Sequence, residues 1–324
     1  MRGEETAESP TISARQPERH HSMTSILDTL RQSASNQPRR ILLPEHYDER
    51  VIAAASALAQ PILIELPEGQ EAPAGVEVFS RRSDAEEWTA KAIAAFTKAR
   101  AAKGMTTEKA TEQLRNPVLL AAVLIKLGFA AGGVAGIQGL GLVPGAKQVS
   151  SFFLMELTDG RVLTYGDCGV IPDPDSAALA EIAIVSAASH QRLTSEEAKV
   201  AMLSFSTKGS AEHPRVDKVR AALELAKQAA PELAIYGELQ FDAAFVPAIG
   251  EKKAPGSAVA GHANVFIFPD LDSGNIGYKI TQRIGGAKAL GPLLQGLAKP
   301  WMDLSRGCSA EDIVDVVVIA GVLA

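Results

Sequence analysis

Residues near the C-terminus combine the side chains that anion binding and proton transfer need. Ser305 and Arg306 are adjacent, and Asp312 follows within the same polar segment. A guanidinium can hold a phosphate with two hydrogen bonds. A hydroxyl can donate to a developing negative charge, and a carboxylate can accept a proton. The same pattern also fits a plain helix start, with Asp312 capping against Ser309 three residues earlier.

Two further loops are candidates for ligand binding. Ser206, Thr207 and Lys208 follow an apolar run that is typical of a strand and precede a helical stretch. Backbone N–H groups in such a loop can surround an anion, although an ordinary polar turn has the same composition. After a second apolar run, an Asp- and Ser-rich loop opens a helix that carries Lys279 and Arg283. Helix capping by that loop is the structural alternative.

Neither the cysteines nor the histidines have the spacing of a metal site. Cys168 lies in a Gly-Asp-Cys-Gly segment without a partner cysteine, which favours a buried structural thiol. The histidines lack zinc-type spacing, so no metal is expected. The glycines after Gly128 follow a helix-like stretch, so they do not form the strand, glycine loop and helix of a dinucleotide site.

The elements that must position these residues alternate between short apolar runs and helical stretches. This alternation predicts an α/β fold with a mostly parallel sheet, whose ligands collect beyond the carboxyl ends of the strands. Strands are predicted at 40–44, 62–66, 149–157, 161–165, 199–205 and 264–268, and helices at 48–60, 85–102, 117–127, 176–190, 214–229 and 276–284.

Composition limits the classes of partner. The 324 residues carry 32 Lys and Arg against 38 Asp and Glu, a net charge of −6. This balance gives no general attraction to nucleic acid or to an anionic membrane, so neither is expected as a partner. The apolar segment 117–144 contains six glycines in its second half, so we expect a buried helix followed by a glycine-rich strand and not a membrane span. Two cysteines cannot form a disulfide scaffold, which predicts a reducing, cytoplasmic location.

The N-terminus differs from the rest of the chain. Residues 1–22 hold Glu, Arg, Ser and Pro with little apolar pattern, so a disordered extension is expected. No continuous apolar stretch follows its charges, and its acidic residues argue against a transit peptide. Met23 begins an amphipathic segment and is an alternative translation start, which peptide mass mapping of the native N-terminus would test.

Several sequence blocks together resemble the phosphate acetyltransferase group of the phosphate acetyl/butyryltransferase family. They include GDCGVIPDPDSAALAEIAI, VAMLSFSTKGSA, the long block from KKAPGSAVAGHANVFIF to LAKP, and DLSRGCSAEDI. The resemblance implies two three-layer α/β domains like those of isocitrate and isopropylmalate dehydrogenases, with the active site in the cleft between them. It places residues 23–150 with about 290–324 in the first domain and about 151–289 in the second. It also implies a homodimer.

The resemblance further implies the reaction, in which acetyl-CoA and phosphate interconvert with acetyl phosphate and CoA, and no cofactor is needed. By position, Ser305, Arg306 and Asp312 match the family's catalytic residues, and Arg100 matches a substrate-binding arginine. Cys168 matches a cysteine near the site that is not a nucleophile. Ser206, Thr207, Lys208, Lys279 and Arg283 are the further expected substrate-binding residues.

One segment departs from the family pattern. Ala131 stands where the family has an aspartate, and about a dozen residues that include a substrate-binding arginine are missing from 131–145. Loss of a charge-assisted contact of this kind costs about 1.5–3 kcal/mol. Two alternatives therefore stay open beside the acetyltransferase: a preference for another acyl group such as butyryl, and a non-catalytic paralogue that binds CoA or an acyl phosphate.

Overall fold

A computed structural model describes residues 25–57, 60–134, 148–303 and 308–324. The expected extension at 1–22, most of the shortened segment, and the predicted site residues Ser305 and Arg306 lie outside these ranges.

The first sheet contains five short strands, all paired in parallel in the order β11-β4-β1-β2-β3. Nearly all of its residues are buried, as is typical of parallel sheets with both faces covered. Its strands are β1 (Ile41–Leu43), β2 (Pro61–Leu63), β3 (Glu77–Val78), β4 (Gly132–Val134) and β11 (Trp301–Met302).

Helices cover both faces of this sheet. Successive residues of a strand point to opposite faces, so neighbouring residues pack against different helices. On one face, Leu42 packs with α3 (Ala85–Arg100), α4 (Thr107–Gln113) and α5 (Pro117–Lys126). On the other face, Ile41 and Leu43 pack with the remaining three helices. These are α1 (Ile26–Asn36), α2 (Glu49–Ala55) and α11 (Ala310–Leu323).

The second sheet is mixed and has the order β10-β5-β6-β9-β7-β8. The four adjacent strands β6, β9, β7 and β8 pair in parallel. Strand β5 pairs antiparallel with both β6 and β10. The strands are β5 (Ser150–Glu156), β6 (Val162–Gly166), β7 (Lys199–Leu203), β8 (Ala234–Leu239), β9 (Val265–Ile267) and β10 (Lys288–Gln295).

This sheet is also covered on both faces. Val200 and Met202 pack with α6 (Ser176–Thr194) and α7 (Pro214–Ala229). Ala201 and Leu203 point the other way, into a core that contains residues of three further helices. These are α8 (Phe241–Phe245), α9 (Pro247–Lys253) and α10 (Leu271–Arg283). The expected α/β fold with mostly parallel sheets is therefore confirmed.

Element ends differ from the sequence predictions in physically informative ways. Helix α10 begins at Leu271 and not at Ile276, because Asp270 caps it with a hydrogen bond from the Ser273 N–H. The domain limits remain a prediction. Strand pairing places the return to the first sheet after Gln295 and not near residue 290, because the whole of β10 pairs with β5. No helix in the described part of the chain is long and apolar enough to cross a membrane.

Candidate active site

A cavity of about 250 Å³ lies where α10 of the second half meets the C-terminal helix α11. Arg283 and Gln282 line it from α10, and Asp312 lines it from the start of α11. Strand β10 contributes the stretch from Ala289 to Pro292. The cavity therefore contains two of the residues predicted from sequence, one from each side, and it is the candidate active site.

The Asp312 carboxylate both stabilises the start of α11 and leaves one oxygen open to the cavity. Its Oδ2 accepts hydrogen bonds from the Ser309 N–H at 2.8 Å and the Ser309 hydroxyl at 2.9 Å, and its own N–H donates to Ser309 Oγ. This is the capping box that the sequence indicated, and it fixes the carboxylate at the helix start. The side chain is nevertheless exposed, and no hydrogen bond to Oδ1 involves another described residue. One carboxylate oxygen thus stays accessible to a ligand in the cavity.

Asp315, one helical turn beyond Asp312, is a site residue that the sequence reasoning missed. Its carboxylate lines the same cavity but is only 3% exposed. Arg31 of α1 lies 2.7 Å away, and Lys288 of β10 lies 3.5 Å away. Two cations from different elements therefore balance a buried charge beside the site and hold α11 in place. The sequence signal that could have identified Asp315 is its spacing of three residues from Asp312, which places both carboxylates on the same side of α11.

Arg50 connects helix α2 to the segment that precedes α11. Its guanidinium donates to the Cys308 carbonyl oxygen at 2.7 Å and also holds Asp48. The hydrogen bonds from Arg50 lower the pKa of the Asp48 carboxyl. Burial raises the pKa of the Cys308 thiol, which lines the cavity. Cys308 and Asp303, which also lines the cavity, flank the segment that contains Ser305 and Arg306.

The other predicted cations lie on exposed surfaces. Lys279 is bonded through Nζ to Asn275 Oδ1 at 2.8 Å, one turn before it on α10. Arg100 ends α3 with its guanidinium 4.9 Å from the Phe96 ring centre. No contact among the described residues joins Arg100 to the cavity, so its role in substrate binding stays a prediction.

The Ser206–Ser210 loop does not present a free anion cradle. The carboxylate of Glu238 occupies its centre and accepts from the Ser206 hydroxyl and the Gly209 N–H, both at 2.8 Å. Arg220 closes this cluster through Nε at 3.0 Å. Thr207 is bonded to Gln240 instead. The polar side chains of Ser206 and Thr207 thus already have protein partners, and substrate binding by these two residues stays a prediction.

Lys208 is different from its neighbours in that loop. Its side chain is exposed and has no ion-pair partner among the described residues. Direct contact between Lys208 and a substrate therefore stays a prediction.

Cys168 is fully buried in the loop that follows β6. Burial raises the pKa of its thiol well above the ordinary value, and the negative charge of nearby Asp167 adds a smaller effect in the same direction. Asp167 itself organises the loop by accepting from the N–H groups of Gly169, Val170 and Ile171. The protonated, enclosed sulfur fits a structural thiol and not a nucleophile. The described residues contain no cluster of His, Cys, Asp and Glu suited to a metal ion.

These features define an α/β enzyme whose candidate site lies between elements of two sheets and combines cations with an accessible carboxylate. Comparisons with known proteins specify the family. A family model described as "Phosphate acetyl/butaryl transferase" matches residues 25–321. The chain belongs to this family, so the resemblance noted from the sequence is confirmed.

Individual relatives match over nearly their whole length. The phosphate acetyltransferase of Paracoccus denitrificans is 44% identical over 90% of this chain and 97% of the relative. That of Thermoanaerobacterium thermosaccharolyticum is 42% identical over 93% and 99%. A phosphotransacetylase crystal structure from Streptococcus pyogenes has a TM-score of 0.83 and 40% identity, covering 92% of this chain and 97% of the other.

Proposed function

We propose that this protein is a phosphate acetyltransferase, which interconverts acetyl-CoA and phosphate with acetyl phosphate and CoA. The observation that carries the proposal is the match at 42–44% identity over at least 97% of the length of enzymes with that name. The cavity supports it, because Arg283 can bind an anionic substrate and Asp312 can accept a proton in the same space.

The proposed reaction begins with deprotonation of the CoA thiol, whose pKa as a free thiol is about 8.5. The accessible oxygen of Asp312 accepts that proton. The thiolate attacks the carbonyl carbon of acetyl phosphate, the new C–S bond forms, and the C–O bond to phosphate breaks. No acyl-enzyme is formed, which agrees with the buried, protonated Cys168. Binding both substrates side by side can lower the barrier by up to about 7–11 kcal/mol.

The remaining roles are assigned by residue type and family position. Arg306 and Arg100 hold the phosphoryl group and balance its charge as it leaves. The Ser305 hydroxyl donates to the tetrahedral intermediate or to the leaving oxygen. Arg283, Lys279 and Lys208 contribute positive charge toward the anionic substrates, of which CoA, acetyl phosphate and phosphate are the proposed set. No cofactor is assigned to the site.

Two alternatives remain beside acetyl transfer. The apolar part of the cavity wall, formed by Phe153, Leu290, Pro292 and Val316, is compatible with a longer acyl group such as butyryl. A non-catalytic protein that binds CoA or an acyl phosphate is the other alternative, because the shortened segment 131–145 lacks the family arginine.

The deciding experiment is thioester formation by the purified protein from CoA and acetyl phosphate, with butyryl phosphate as the competing substrate. We expect acetyl-CoA formation that depends on both substrates, and a loss of at least about tenfold in kcat/KM in Arg306→Ala. Arg192→Ala, an exposed arginine on α6, is the control and keeps full activity. No thioester from the wild type, or an unchanged rate in Arg306→Ala, contradicts the proposal.

We also propose that the protein is a homodimer, and that α10 contributes to the interface. Ile276, Ile280 and Ile284 follow each other at helical spacing and are 57%, 53% and 83% exposed. An exposed apolar stripe of this kind is typical of a surface that a partner covers. Light scattering should give twice the chain mass for the wild type and the single mass for Ile280→Glu. A monomeric wild type contradicts the proposal.

A cytoplasmic location in acetate metabolism completes the proposal. Both cysteines are free thiols, as a reducing compartment favours. Recovery of the native protein in a membrane or secreted fraction contradicts this part.

A further inference from the structure

A second cavity, of about 430 Å³, lies at the amino-terminal ends of β6, β7 and β9 and shares no lining residue with the candidate active site. Its volume is within the range typical of small-molecule sites. One wall is apolar and is formed by Val162, Leu163, Phe245 and Pro247. The Arg161 guanidinium lies 4.6 Å from the Phe245 ring centre and is paired with Asp159 at 2.7 Å, so its charge is already balanced. The wall therefore suits an apolar group of a ligand.

Two opposite charges line this cavity without neutralising each other. Glu197 and Lys199 both border it, and neither forms an ion pair with a described residue. Ala198 and Val200 between and after them pack into the core beside α6 and α7. The alternation of an extended chain therefore places Glu197 and Lys199 on the opposite face, about 7 Å apart. Unpaired charges at this spacing leave room for a ligand that carries both signs.

Asn264 holds these two charged residues in place. Its Oδ1 accepts from the Lys199 N–H at 2.7 Å, and its Nδ2 donates to the Glu197 carbonyl oxygen at 2.9 Å. One side chain thus fixes the backbone of both residues before any ligand arrives. Such preorganisation reduces the cost of ordering the site on binding.

The acidic side of the cavity contains a second carboxylate. Glu196 lines the cavity, and its Oε2 lies 3.9 Å from Nε2 of His190. That nitrogen belongs to a fully buried ring and has no hydrogen-bond partner among the described residues. His262 also lines the cavity and adds a further polar group. A ligand ammonium thus meets two carboxylates, and a ligand carboxylate meets Lys199.

We propose that this cavity binds an apolar α-amino acid, with its carboxylate on Lys199, its ammonium group on Glu197 and its side chain against Phe245. An α-amino acid carries both charges on one carbon atom, which fits two unneutralised charges two residues apart. A simple anion leaves Glu197 unpaired, and a simple amine leaves Lys199 unpaired. The site lies apart from acyl transfer, so the inference goes beyond the proposed function.

Calorimetric titration with L-leucine tests the proposal without turnover. We expect saturable binding by the wild type that saturating CoA and acetyl phosphate do not displace. Isocaproate lacks the ammonium group and isoamylamine lacks the carboxylate, so each should bind at least about tenfold more weakly. Glycine, which lacks the apolar side chain, should bind roughly 10- to 100-fold more weakly.

Two variants connect the ligand's charges to individual residues. Lys199→Met should bind leucine at least about tenfold more weakly and lose the preference for leucine over isoamylamine. Glu197→Gln should be weakened similarly and lose the preference for leucine over isocaproate. Lys227→Met and Glu224→Gln, which change an exposed ion pair on α7, are the matched controls and should bind normally. Both site variants should keep the wild-type rate of thioester formation, which shows that they are folded.

Several results would overturn the inference. These are a wild type that does not bind leucine, displacement of leucine by CoA or acetyl phosphate, equal affinity for isocaproate, and ligand preferences that both variants retain. Dissociation of the dimer in Lys199→Met would also overturn it, because a second copy of the chain would then be the occupant of the cavity. Normal leucine binding without thioester formation by the wild type would instead contradict the proposed function alone.

Discussion

Replacement of Glu238 by Gln tests the charge cluster that supports the Ser206–Ser210 loop. The Glu238 side chain is 4% exposed and has three protein partners: Arg220, the Gly209 N–H and the Ser206 hydroxyl. Burial alone would raise the pKa of this carboxyl, but the hydrogen bonds outweigh it and lower the pKa from 4.5 to about 2. The folded state therefore binds the ionised form more strongly than the unfolded chain does.

The size of the effect follows from that difference. Lowering the pKa from 4.5 to about 2 corresponds to roughly 3 kcal/mol of folding free energy at pH 7. Because the folded pKa is depressed, this contribution is present above pH 4.5 and is lost as pH falls toward 2. At pH 3 only about 1 kcal/mol should remain. Gln resembles the protonated carboxyl, so Glu238→Gln should be destabilised by these amounts relative to wild type.

Urea unfolding of wild type and variant at pH 7 and pH 3, followed by the fluorescence of Trp301 and Trp88, measures the difference. Glu251→Gln, an exposed glutamate on α9, is the control and should change stability by less than about 0.5 kcal/mol at either pH. A deficit of Glu238→Gln that is as large at pH 3 as at pH 7 would refute the proton linkage. A deficit below about 1 kcal/mol at pH 7 would refute the role assigned to the cluster.

Three further predictions concern other parts of the chain. Burial lowers the pKa of His190 from 6.5 to about 4, so as pH falls the unfolded chain takes up this proton before the folded protein does. Wild-type stability in urea unfolding should therefore fall by about 2 kcal/mol between pH 8 and pH 5. This loss should be absent from His190→Gln in the same experiment. Gly274→Ala should be less stable than wild type in thermal unfolding, although Ala is the better helix former, because the new Cβ would meet the Asp167 carbonyl oxygen. Gly321→Ala, whose Cβ would meet nothing within 4 Å, should gain up to about 1 kcal/mol. Stabilisation of both variants would contradict the packing described at α10. Initial rates with both substrates varied should give intersecting lines, and the parallel lines of an acyl-enzyme mechanism would contradict direct attack.

The sequence predicted the fold class because local patterns carry it. Apolar runs and helical periodicity located the main strands, and Pro214–Ala229 has the predicted ends because Pro at the first position and the apolar spacing agree. Strands β8 and β10 were not predicted from the pattern. The residues of β10 mix buried and exposed positions irregularly, and its register shifts between Leu290 and Leu293. Pairing with β5 determines this strand, and pairing is not a local property.

The candidate site was predictable in its residue types but not in its partners. The capping box at Ser309 and Asp312 was visible from their spacing. The occupation of the Ser206 loop by Glu238 was not, because the two are 32 positions apart in sequence and meet only through the pairing of β7 with β8. The Asp315 cluster likewise needs Arg31 from the other end of the chain. Long-range ion pairs of this kind follow from the fold and not from local composition.

The central claim is acetyl transfer with Asp312 as the base, and the turnover number of Asp312→Asn tests it most directly. Ser309 still caps α11 in this variant, and the Asn amide oxygen can still accept from the Ser309 N–H, so the helix start is retained, while the proton acceptor is lost. We predict that kcat for thioester formation falls by roughly 10²–10⁴-fold, with KM values for CoA and acetyl phosphate within about threefold of wild type. A variant that turns over at nearly the wild-type rate would contradict the account.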